Sequence, residues 1–414
     1  MQRRLRVLLS AYACEPGEGS EPGVGWNWVC EVARYCDVWV LTRANNRPAI
    51  ERALDEEHLR RVSWVYFDLP RWLCFWKKGQ RGIHLYYYLW QIGAFFLAKK
   101  LHAKHRFDVV HHVTFVTYWK PSLLCLLPPP FVWGPVGGAD RTPAPFLKTL
   151  SFRGKLYELL RNAALSLGEL DPLVRLTARK AALALPCTAQ TRRRLVRLGA
   201  RSVHEPVQLA LSAAEIARLR ANSPPPPPFR FVSVGRLIPL KGLHIALSAF
   251  AAAQADLPQA QYWIIGDGPE RKRLEALCDE LHIAQKVKFW GRVPRDKVLE
   301  LLPQCHALVH PSFHESSPTV SLEAMAAGLP VICFDIAGLS LQVTEQTGFK
   351  ITPTTPDQAV RDFARAMVAL AGDHARLRQM SEAARRRVAE CFSWEARGRF
   401  AAELYRKLTE QCTR

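Results

Sequence analysis

Short apolar segments alternate with helix-forming segments along almost the whole chain, in two successive series. The first series of β-rich segments covers residues 6–9, 38–41, 62–67 and 109–112, and the second covers residues 229–234, 262–265, 287–289, 307–310 and 330–334. Strands that are apolar on both faces, joined by segments long enough for a crossover helix, are typical of a parallel sheet covered by helices on both sides. We therefore predict an α/β fold with two doubly wound domains, in which ligands bind beyond the carboxyl ends of the strands.

A proline run marks the seam between the two series. The five consecutive prolines at residues 224–228 favour a stiff polyproline II spacer. We predict an N-terminal domain over residues 1–205, a proline-rich linker over 206–228 and a C-terminal domain over 229–390. The amphipathic stretch beyond it, residues 391–414, is predicted to form a helix that packs back on the N-terminal domain.

Basic side chains are in excess in this 414-residue chain, with 57 Lys and Arg against 37 Asp and Glu and a formal net charge of +20. Such a field attracts phosphorylated ligands, nucleic acid or anionic lipid without distinguishing among them. The eleven cysteines are scattered singly, with no C-x-x-C pair and no metal-ligand spacing. We therefore predict reduced thiols in a cytoplasmic protein, without a metal site or a disulfide framework.

No segment predicts export or a membrane span. The apolar run near the basic start of the chain is too short for a signal peptide. The uncharged stretch over residues 82–98 falls short of the 18 or more apolar residues that a spanning helix needs. We expect a protein that is not exported and does not cross a membrane.

Two glycine-rich turns follow predicted strands and precede predicted helices, an arrangement that presents backbone N–H groups to an anion. Gly23 and Gly25 lie in a turn that lacks the G-x-G-x-x-G pattern, so a purely structural turn is an equal alternative. In the second half, Gly235 is followed by Arg236 and, five residues later, by Lys241. A guanidinium and an ammonium at a strand end can neutralise a diphosphate leaving group, with solvated surface cations as the alternative.

The most informative segment covers residues 310–325. A strand ends at His310, the following loop carries Glu315, and Pro318 begins a predicted helix whose second turn carries Glu323. The two carboxylates can face one cleft, while the N–H groups of residues 317–320 point at an anion. The helix around Glu323 is mostly apolar, so a buried carboxylate there needs a partner.

These motifs, in this order, resemble those of the retaining glycosyltransferases of family 4, which have the two-domain GT-B fold. The resemblance rests on Gly235-Arg236 with Lys241-Gly242, on residues 266–270, and on Glu315 and Glu323 with seven residues between them. It implies two Rossmann-like domains that face a central cleft, an N-terminal acceptor-binding domain over residues 1–205 and a C-terminal nucleotide-sugar-binding domain over residues 229–390. It also implies transfer of a sugar, with retained anomeric configuration, from a nucleotide diphosphate sugar to a glycan or lipid-linked acceptor. Neither a metal nor a permanently bound cofactor is expected.

The resemblance assigns roles to individual positions. Arg236 and Lys241 would hold the diphosphate. Glu315 would contact the transferred sugar, and Glu323 would bind the ribose hydroxyls. The other implied contacts come from turns and loop ends: Gly23, Gly25 and Gly235 near the diphosphate, Arg292 and Val293 beside the nucleobase, and Ser317, Thr319 and Val320 through backbone amides.

Two adjacent histidines, His111 and His112, end the strand whose terminal histidine approaches the transferred sugar in the family. The family often separates two histidines by one residue, whereas Val113 holds that place here. Adjacent strand residues point to opposite faces, so only one of the two is expected to face the cleft, and the choice between them stays open. A second departure is the segment 337–342, which replaces a glycine-rich stretch that usually ends in a glutamate.

An aromatic and basic segment over residues 64–104 suits an interface with anionic lipid head groups, with core packing of the same aromatics as the alternative. On the first interpretation, the acceptor is lipid-linked and the enzyme works at the cytoplasmic face of a membrane. Assembly of cell-surface polysaccharide or lipopolysaccharide would then be its role.

Two other functions stay open. One is a nucleotide-sugar epimerase with the same two-domain architecture, which would need no acceptor. The other is a basic nucleic-acid-binding protein, suggested by the net charge and by the arginine runs 192–194 and 385–387. Those runs have no aromatic stacking platform beside them and no recognisable nucleic-acid module, so no nucleic-acid partner is predicted.

Overall fold

The computed structural model describes residues 3–18, 20–54, 57–77, 82–220 and 227–413. They form two compact units. Unit 1 comprises Met1–Ala139, Ala164–Val207 and Trp394–Arg414, and unit 2 comprises Asp140–Ala163 and Gln208–Ser393. Residues 221–226, which include the first part of the predicted polyproline spacer, lie outside the described residues.

Unit 1 contains a six-stranded sheet in which every pair of neighbours is parallel. The spatial order is β3-β2-β1-β4-β5-β6. The strands are β1 (Arg6–Ser10), β2 (Asp37–Thr42), β3 (Ser63–Tyr66), β4 (Val109–His112), β5 (Phe131–Val136) and β6 (Leu183–Pro186).

Unit 2 contains a second six-stranded parallel sheet, with the order β12-β11-β10-β7-β8-β9. Its strands are β7 (Arg230–Val234), β8 (Gln261–Ile265), β9 (Val287–Gly291), β10 (Ala307–His310), β11 (Val331–Phe334) and β12 (Gly348–Ile351). Counted from β7, this order matches that of the first sheet. Both units therefore have the doubly wound topology, and the predicted α/β fold class is confirmed.

Sixteen α-helices lie within the described residues. They are α1 (Ser20–Ala33), α2 (Arg47–Arg52), α3 (Glu57–Arg60), α4 (Ile83–His105), α5 (Phe152–Gly168), α6 (Pro172–Lys180), α7 (Ala189–Arg197), α8 (Ala213–Leu219), α9 (Leu243–Ala252), α10 (Arg271–Glu280), α11 (Arg295–Leu301), α12 (Thr319–Ala327), α13 (Leu339–Gln342), α14 (Pro356–Gly372), α15 (His374–Cys391) and α16 (Trp394–Thr413).

The strands of the second sheet bury both of their faces. Phe231, Ile264 and Val309 belong to the apolar cluster on one side of the sheet. Their neighbours Val232, Ile265 and Leu308 belong to the cluster on the other side. This alternation is why the strands read as continuous apolar runs, and it fixes the register, because a slip of one residue would exchange the two faces.

Every strand predicted from the sequence is present, and three further strands were missed. The missed strands are β5, β6 and β12. β5 contains Gly134 and Pro135, which are unusual inside a strand. β6 is the short, alanine-containing segment LALP, and β12 is GFKI. None of the three offers the run of β-branched residues that marks a strand in sequence.

Residues 140–163 group with unit 2, although the sequence analysis placed them in the N-terminal domain. The reason is apolar packing around Phe146, which is fully buried. Its ring centroid lies 5.2 Å from that of Phe313 and 5.2 Å from that of Phe334. A segment of the first half of the chain thus completes the core of the second unit.

Helix α16, at the end of the described chain, belongs to unit 1 and packs on α1. The rings of Trp28 and Trp394 lie 6.0 Å apart, and Tyr405 is fully buried against His111. The Tyr405 hydroxyl lies 2.6 Å from His111 Nδ1, and His111 Nε2 lies 2.7 Å from the Gly134 carbonyl oxygen. Because that carbonyl can only accept, Nε2 carries the proton and Nδ1 accepts from Tyr405.

Two sequence expectations concern the cysteines and the membrane. Each of the ten cysteines whose side chains the structure describes is a free thiol. Within the described residues, no helix has the length and apolar character that a membrane crossing requires.

We predict that Tyr405→Phe lowers the free energy of unfolding by about 1–3 kcal/mol, because the buried His111 Nδ1 loses its donor. Urea denaturation at pH 7 measures this loss. Glu403→Ala, at an exposed position of the same helix, should change stability by less than about 0.5 kcal/mol. Equal stability of Tyr405→Phe and wild type would contradict the assigned hydrogen bond.

Candidate functional site

The candidate site of unit 2 lies at the carboxyl ends of β7 and β10. These strands are neighbours in the sheet, and the strand order reverses between them. At such a switch point the flanking loops turn away from each other and leave a crevice for a ligand. Arg236 and Lys241 follow β7, whereas His310 ends β10 and Glu315 lies on the loop beyond it.

Lys241 and Glu315 form a direct ion pair, with side chains 19% and 22% exposed. Ser312 Oγ lies 3.3 Å from Glu315 Oε1, and His310 Nε2 lies 3.9 Å from the same oxygen. Burial alone would raise the pKa of Glu315, but the attraction of Lys241 and His310 outweighs it and lowers the pKa. Burial lowers the pKa of His310 to about 4, and Lys241 adds to this effect. Glu315 is therefore ionised and His310 neutral at pH 7.

A small pocket opens beside this pair. Its lining includes Gly235, Arg236, Lys241, His310 and Pro311. Gly235 has a φ of +147°, a region that L side chains rarely adopt. A Cβ on Gly266 would lie 1.9 Å from the Gly235 carbonyl oxygen, so the turns after β7 and β8 touch backbone to backbone. Arg236 is exposed at the rim, where its guanidinium is available to a phosphate.

Glu323 is the buried carboxylate on α12, and its partner is Arg295, which the sequence analysis did not identify. Glu323 is 4% exposed. Arg295 Nη1 lies 2.6 Å from Glu323 Oε1, and Arg295 Nη2 lies 2.5 Å from Glu215 Oε1. Burial raises the pKa of Glu323, and the attraction of Arg295 offsets part of the rise. One guanidinium thus connects helices α8, α11 and α12.

The start of α12 is held by a buried amide. Pro318 is the N-cap and provides no side-chain hydrogen bond to the first turn. Gln342 Nε2 donates to the Pro318 carbonyl oxygen at 3.1 Å and to Gln208 Oε1 at 3.0 Å, and Gln342 Oε1 accepts from Ser321. Ser317 Oγ accepts from the Leu209 N–H at 2.8 Å. Gln342, in the departing segment 337–342, therefore positions the backbone of Ser317, Thr319 and Val320.

The loop beside Glu315 is also held by the segment 140–163. The Glu158 side chain, 1% exposed, lies 3.5 Å from His314 Nε2 and accepts from Thr142 Oγ1 at 2.8 Å. Ser316 Oγ donates to Asp140 Oδ2 at 2.7 Å. Burial alone would raise the pKa of Glu158, but His314 and Thr142 outweigh it and lower the pKa. No sequence motif pointed to Glu158 or Asp140, because the loop residues that they contact, His314 and Ser316, lie more than 150 positions further along the chain.

The adjacent histidines of unit 1, His111 and His112, differ in how many of their ring nitrogens have a hydrogen-bond partner. His111 uses both ring nitrogens within the protein, and burial lowers its pKa to about 3. His112 Nε2 lies 2.9 Å from the Tyr87 hydroxyl and 3.1 Å from the Thr114 carbonyl oxygen. Its Nδ1 is buried and, among the described residues, has no hydrogen-bond partner. Burial lowers the pKa of His112 to about 4.

The remaining predicted positions give one correction. Gly23 and Gly25 lie inside α1 rather than in a turn before it. A Cβ on Gly23 would come within 2.1 Å of the Glu18 carbonyl oxygen, and one on Gly25 within 2.1 Å of the Ala13 carbonyl oxygen. These glycines therefore allow the loop after β1 to pack against the helix. Arg292 is exposed just after β9, and Val293 is partly buried against an apolar cluster.

The aromatic and basic segment 64–104 divides between core and surface. Tyr86, Tyr87 and Trp90 are buried, whereas Trp72, Phe75 and Phe96 are 72, 80 and 59% exposed. Lys78 and Arg81, which the sequence analysis included, lie outside the described residues. Among the residues that are described, no group of three or more His, Cys, Asp or Glu side chains could hold a metal ion.

Comparison with known proteins finds similarity to glycosyltransferases. Residues 216–387 match the family model of Glycosyl transferases group 1. Glycogen synthase of Mycobacterium tuberculosis is 30% identical over 186 residues, which is 45% of this chain and 44% of that protein. The putative colanic acid biosynthesis glycosyltransferase WcaL of Salmonella typhimurium is 27% identical over 286 residues, 65% of this chain and 68% of that one.

The solved structure of sucrose-phosphate synthase from Thermosynechococcus elongatus has a TM-score of 0.65 and 20% identity, covering 99% of this chain and 100% of that one. This likeness, with the two sheets described above, confirms the predicted two-domain GT-B fold. The match to the model of Glycosyl transferases group 1 covers residues 216–387, less than half of the chain, and membership of family 4 stays a prediction. The alignments with the first curated relatives span less than half of those proteins.

We predict that Arg295→Met lowers the free energy of unfolding by about 3–5 kcal/mol at pH 8, because two carboxylates lose their shared cation. Without Arg295, the folded pKa of Glu323 lies further above its unfolded value. Such a group loses stability as the pH rises through the folded pKa, so the deficit should be smaller at pH 5. Urea denaturation at both pH values measures it.

The matched control is Lys297→Met on the same helix. The Lys297 side chain is 48% exposed and pairs only with Glu300 within the described chain, so a change of at most about 1 kcal/mol is expected. A deficit for Arg295→Met that equals the control, or that does not depend on pH, would show that Arg295 does not support a buried charge.

Proposed function

We propose that the chain is a glycosyltransferase that moves a sugar from a nucleotide diphosphate sugar to a glycan or lipid-linked acceptor. The observation that carries this proposal is the arrangement of Arg236, Lys241 and Glu315 at the switch point of a sheet whose segment matches the model of Glycosyl transferases group 1. Two cations that line one small pocket suit a diphosphate, and the adjacent carboxylate suits sugar hydroxyls. The role is biosynthesis of cell-surface polysaccharide or lipopolysaccharide.

The other donor contacts follow from the same region. Glu323 keeps an oxygen available to ribose hydroxyls while Arg295 balances its charge. The backbone amides of Ser317, Thr319 and Val320 face the diphosphate from the uncapped start of α12. Gly235 permits close approach of the diphosphate, and Arg292 and Val293 lie beside the nucleobase.

We also propose that His112, rather than His111, contacts the transferred sugar. Both nitrogens of His111 are used inside the protein. His112 keeps Nδ1 without a partner in the described chain, and its low pKa makes the ring neutral. A neutral imidazole with an unprotonated nitrogen accepts a hydrogen bond from a sugar hydroxyl.

The reaction we propose retains the anomeric configuration and needs no metal. The bond from the anomeric carbon to the diphosphate oxygen breaks, the bond to the acceptor oxygen forms on the same face, and the acceptor's proton passes to the departing diphosphate. Arg236 and Lys241 stabilise the charge that develops on that diphosphate. Glu315 orients the sugar, and no enzyme nucleophile is required.

We predict that one class among UDP-, GDP- and ADP-sugars raises the melting temperature of the purified chain, because a ligand of the folded state stabilises it. Lys241→Met should weaken binding of that donor by about 10- to 100-fold, in line with the loss of about 1.5–3 kcal/mol from a charged hydrogen bond. Binding is measured by calorimetry below the melting temperature.

Lys272→Met, at an exposed position on α10, is the control and should bind the donor as wild type does. Once the donor is identified, product formation with and without EDTA tests whether the transfer needs a metal. NMR of the product gives the anomeric configuration of the transferred sugar. No shift with any sugar nucleotide would contradict the proposed function. An inverted product, or activity lost in EDTA, would contradict the mechanism alone. Donor epimerised without an acceptor would establish the epimerase alternative.

We further propose that the chain works on an anionic membrane surface through α5. The apolar side chains Phe152, Leu156, Leu159, Leu160 and Leu167 are 80, 46, 68, 61 and 68% exposed. Their spacing places them on one face of the helix. Arg153 and Lys155 are exposed cations on α5, whereas its one acidic residue, Glu158, is buried. Apolar side chains flanked by cations suit insertion between anionic head groups.

We predict that the wild-type chain co-sediments with vesicles of equal parts phosphatidylglycerol and phosphatidylcholine more strongly than with phosphatidylcholine alone. The double variant Leu159→Ser and Leu160→Ser should lose at least tenfold in binding, since two inserted leucines contribute about 1.5–3 kcal/mol each when fully buried.

Leu126→Ser is the matched control, because Leu126 is an exposed leucine outside this face. Equal binding by the double variant and this control would contradict the role of α5. A concentration-dependent dimer that only the double variant abolishes, without vesicle binding, would instead assign this face to contacts between copies of the chain.

A further inference from the structure

Lys120 in unit 1 is a buried cation with unusual surroundings. It lies on the segment that follows β4 and is 6% exposed. Within the part of the chain that the structure describes, its ammonium forms no hydrogen bond and no ion pair. Its Nζ instead faces three rings, 4.0 Å from the centroid of Phe115, 4.8 Å from that of Trp119 and 5.0 Å from that of Tyr87.

Further aromatic residues extend this group, which we call the Lys120 box. Tyr12, just after β1, lies 5.0 Å from Tyr87 and 5.2 Å from Phe115 by ring centroids. His84, on α4, lies 5.5 Å from Trp119. The Lys120 box comprises Tyr12, His84, Tyr87, Phe115, Trp119 and Lys120. It is therefore built from the ends of β1 and β4 and from α4.

The position of the box is that of a ligand site. β1 and β4 are neighbours, and the strand order of the first sheet reverses between them. This is the switch point of unit 1, where a crevice opens beyond the carboxyl ends of the strands. Phe115, in the same loop, has a φ of +59°, a strained conformation for a non-glycine residue. The loop that brings Lys120 to the rings is therefore held in a backbone conformation that Phe115 disfavours.

The cation is incompletely compensated. Burial lowers the pKa of Lys120 to about 7, and the nearby Glu21 opposes part of the effect. Glu21 is already engaged, because its Oε1 accepts from the Phe115 N–H at 2.6 Å. His84, another titratable member of the box, has a pKa that is lowered by burial and by Lys120. Ring faces attract a cation, but they do not replace the hydrogen bonds that an ammonium makes in water.

A purely structural role would not call for a charge here. A methionine would fill the space between the rings without the cost of burying an ammonium. An ammonium, by contrast, has three donors for an arriving anion. The ammonium is not sealed from solvent, since Nζ is absent from the buried polar atoms that lack a partner. Exposed His84 and half-buried Trp119 offer ring faces beside it.

We propose that the Lys120 box binds a saccharide carrying an anionic group, a carboxylate or a phosphate. Lys120 pairs with the anion, and Trp119 and His84 pack against the apolar face of the sugar ring. The inference rests on the proposed function in one respect only: if the chain is a glycosyltransferase, this saccharide is its acceptor. It names an acceptor class that neither the donor site nor the family match specifies.

The test is calorimetric titration of the full chain with glucuronate, glucose 6-phosphate and glucose. The wild type should bind at least one anionic sugar ten or more times tighter than glucose. Preference for glucuronate alone indicates a carboxylate ligand, and preference for glucose 6-phosphate alone indicates a phosphate ligand. Lys120→Met should abolish the preference, whereas Lys120→Arg, which keeps the charge, should retain most of it.

Lys241→Met is the matched control for the donor site. Binding that this variant abolishes and Lys120→Met preserves would place the anion at the donor site and overturn the proposal. Absence of any preference for an anionic sugar in the wild type would also overturn it. If Lys120→Met does not fold, the site is tested by reductive methylation of the wild type followed by mass spectrometry. A bound anionic sugar should slow the methylation of Lys120 at least fivefold. No protection at saturating sugar contradicts the site.

The transfer reaction separates this inference from the proposed function. With the donor identified, an anionic acceptor should show a KM raised at least tenfold by Lys120→Met and a kcat changed by less than threefold. Anion binding at Lys120 without any sugar transfer would leave the site standing and remove the glycosyltransferase proposal. Transfer to neutral acceptors with equal efficiency would leave the glycosyltransferase proposal standing and remove the anionic acceptor.

Discussion

Parallel strand pairing is the constraint on which the rest of this structure depends. A parallel sheet needs a crossover after every strand, and its hydrogen-bonded strands must be buried on both faces. All carboxyl ends then meet at one edge, and where the strand order reverses, two loops diverge. The chain satisfies this constraint twice with the same order of strands. Arg236, Lys241 and Glu315 follow the two strands at one reversal, whereas at the other reversal His112 ends β4 and Lys120 follows it. The topology thus places side chains that are far apart in the sequence at the two points where the strand order reverses.

What could be predicted from the sequence was local. The strands rich in β-branched residues and the loops directly after them, with Arg236, Lys241 and Glu315, were all recognisable because their signal lies within about ten residues. The partners of those residues were not. Arg295 lies 28 positions before Glu323, and Glu158 lies more than 150 positions before His314. Nothing in the neighbourhood of an arginine or a glutamate shows which distant charge it will face. The glycines of α1 were misjudged for a related reason, since the carbonyls of Ala13 and Glu18 that they accommodate approach only in the folded chain.

The adjacent histidines show how a distant element settles a local ambiguity. Strand alternation required His111 and His112 to point to opposite faces but could not say which of them was committed to the core. The decision comes from Tyr405 on α16, 294 residues away, which saturates His111. The same helix packs its Trp394 against Trp28 of α1. Helix α16 therefore does more than cover apolar surface, because it fixes the tautomer of one histidine and leaves the other as the residue with a nitrogen to spare.

Lys241, which is partly buried, and Lys120, which is buried, differ in what compensates their charges. Lys241 is paired with Glu315, so its charge is compensated and the carboxylate stays ionised. A ligand that takes over Lys241 must also satisfy Glu315, which suits a donor that brings a diphosphate and sugar hydroxyls together. Lys120 has only ring faces and the already engaged Glu21 nearby. An arriving anion meets no competing carboxylate bonded to that ammonium, and it restores the solvation that burial removed. The first arrangement favours a ligand with both acceptors and donors, whereas the second favours one with an uncompensated negative charge.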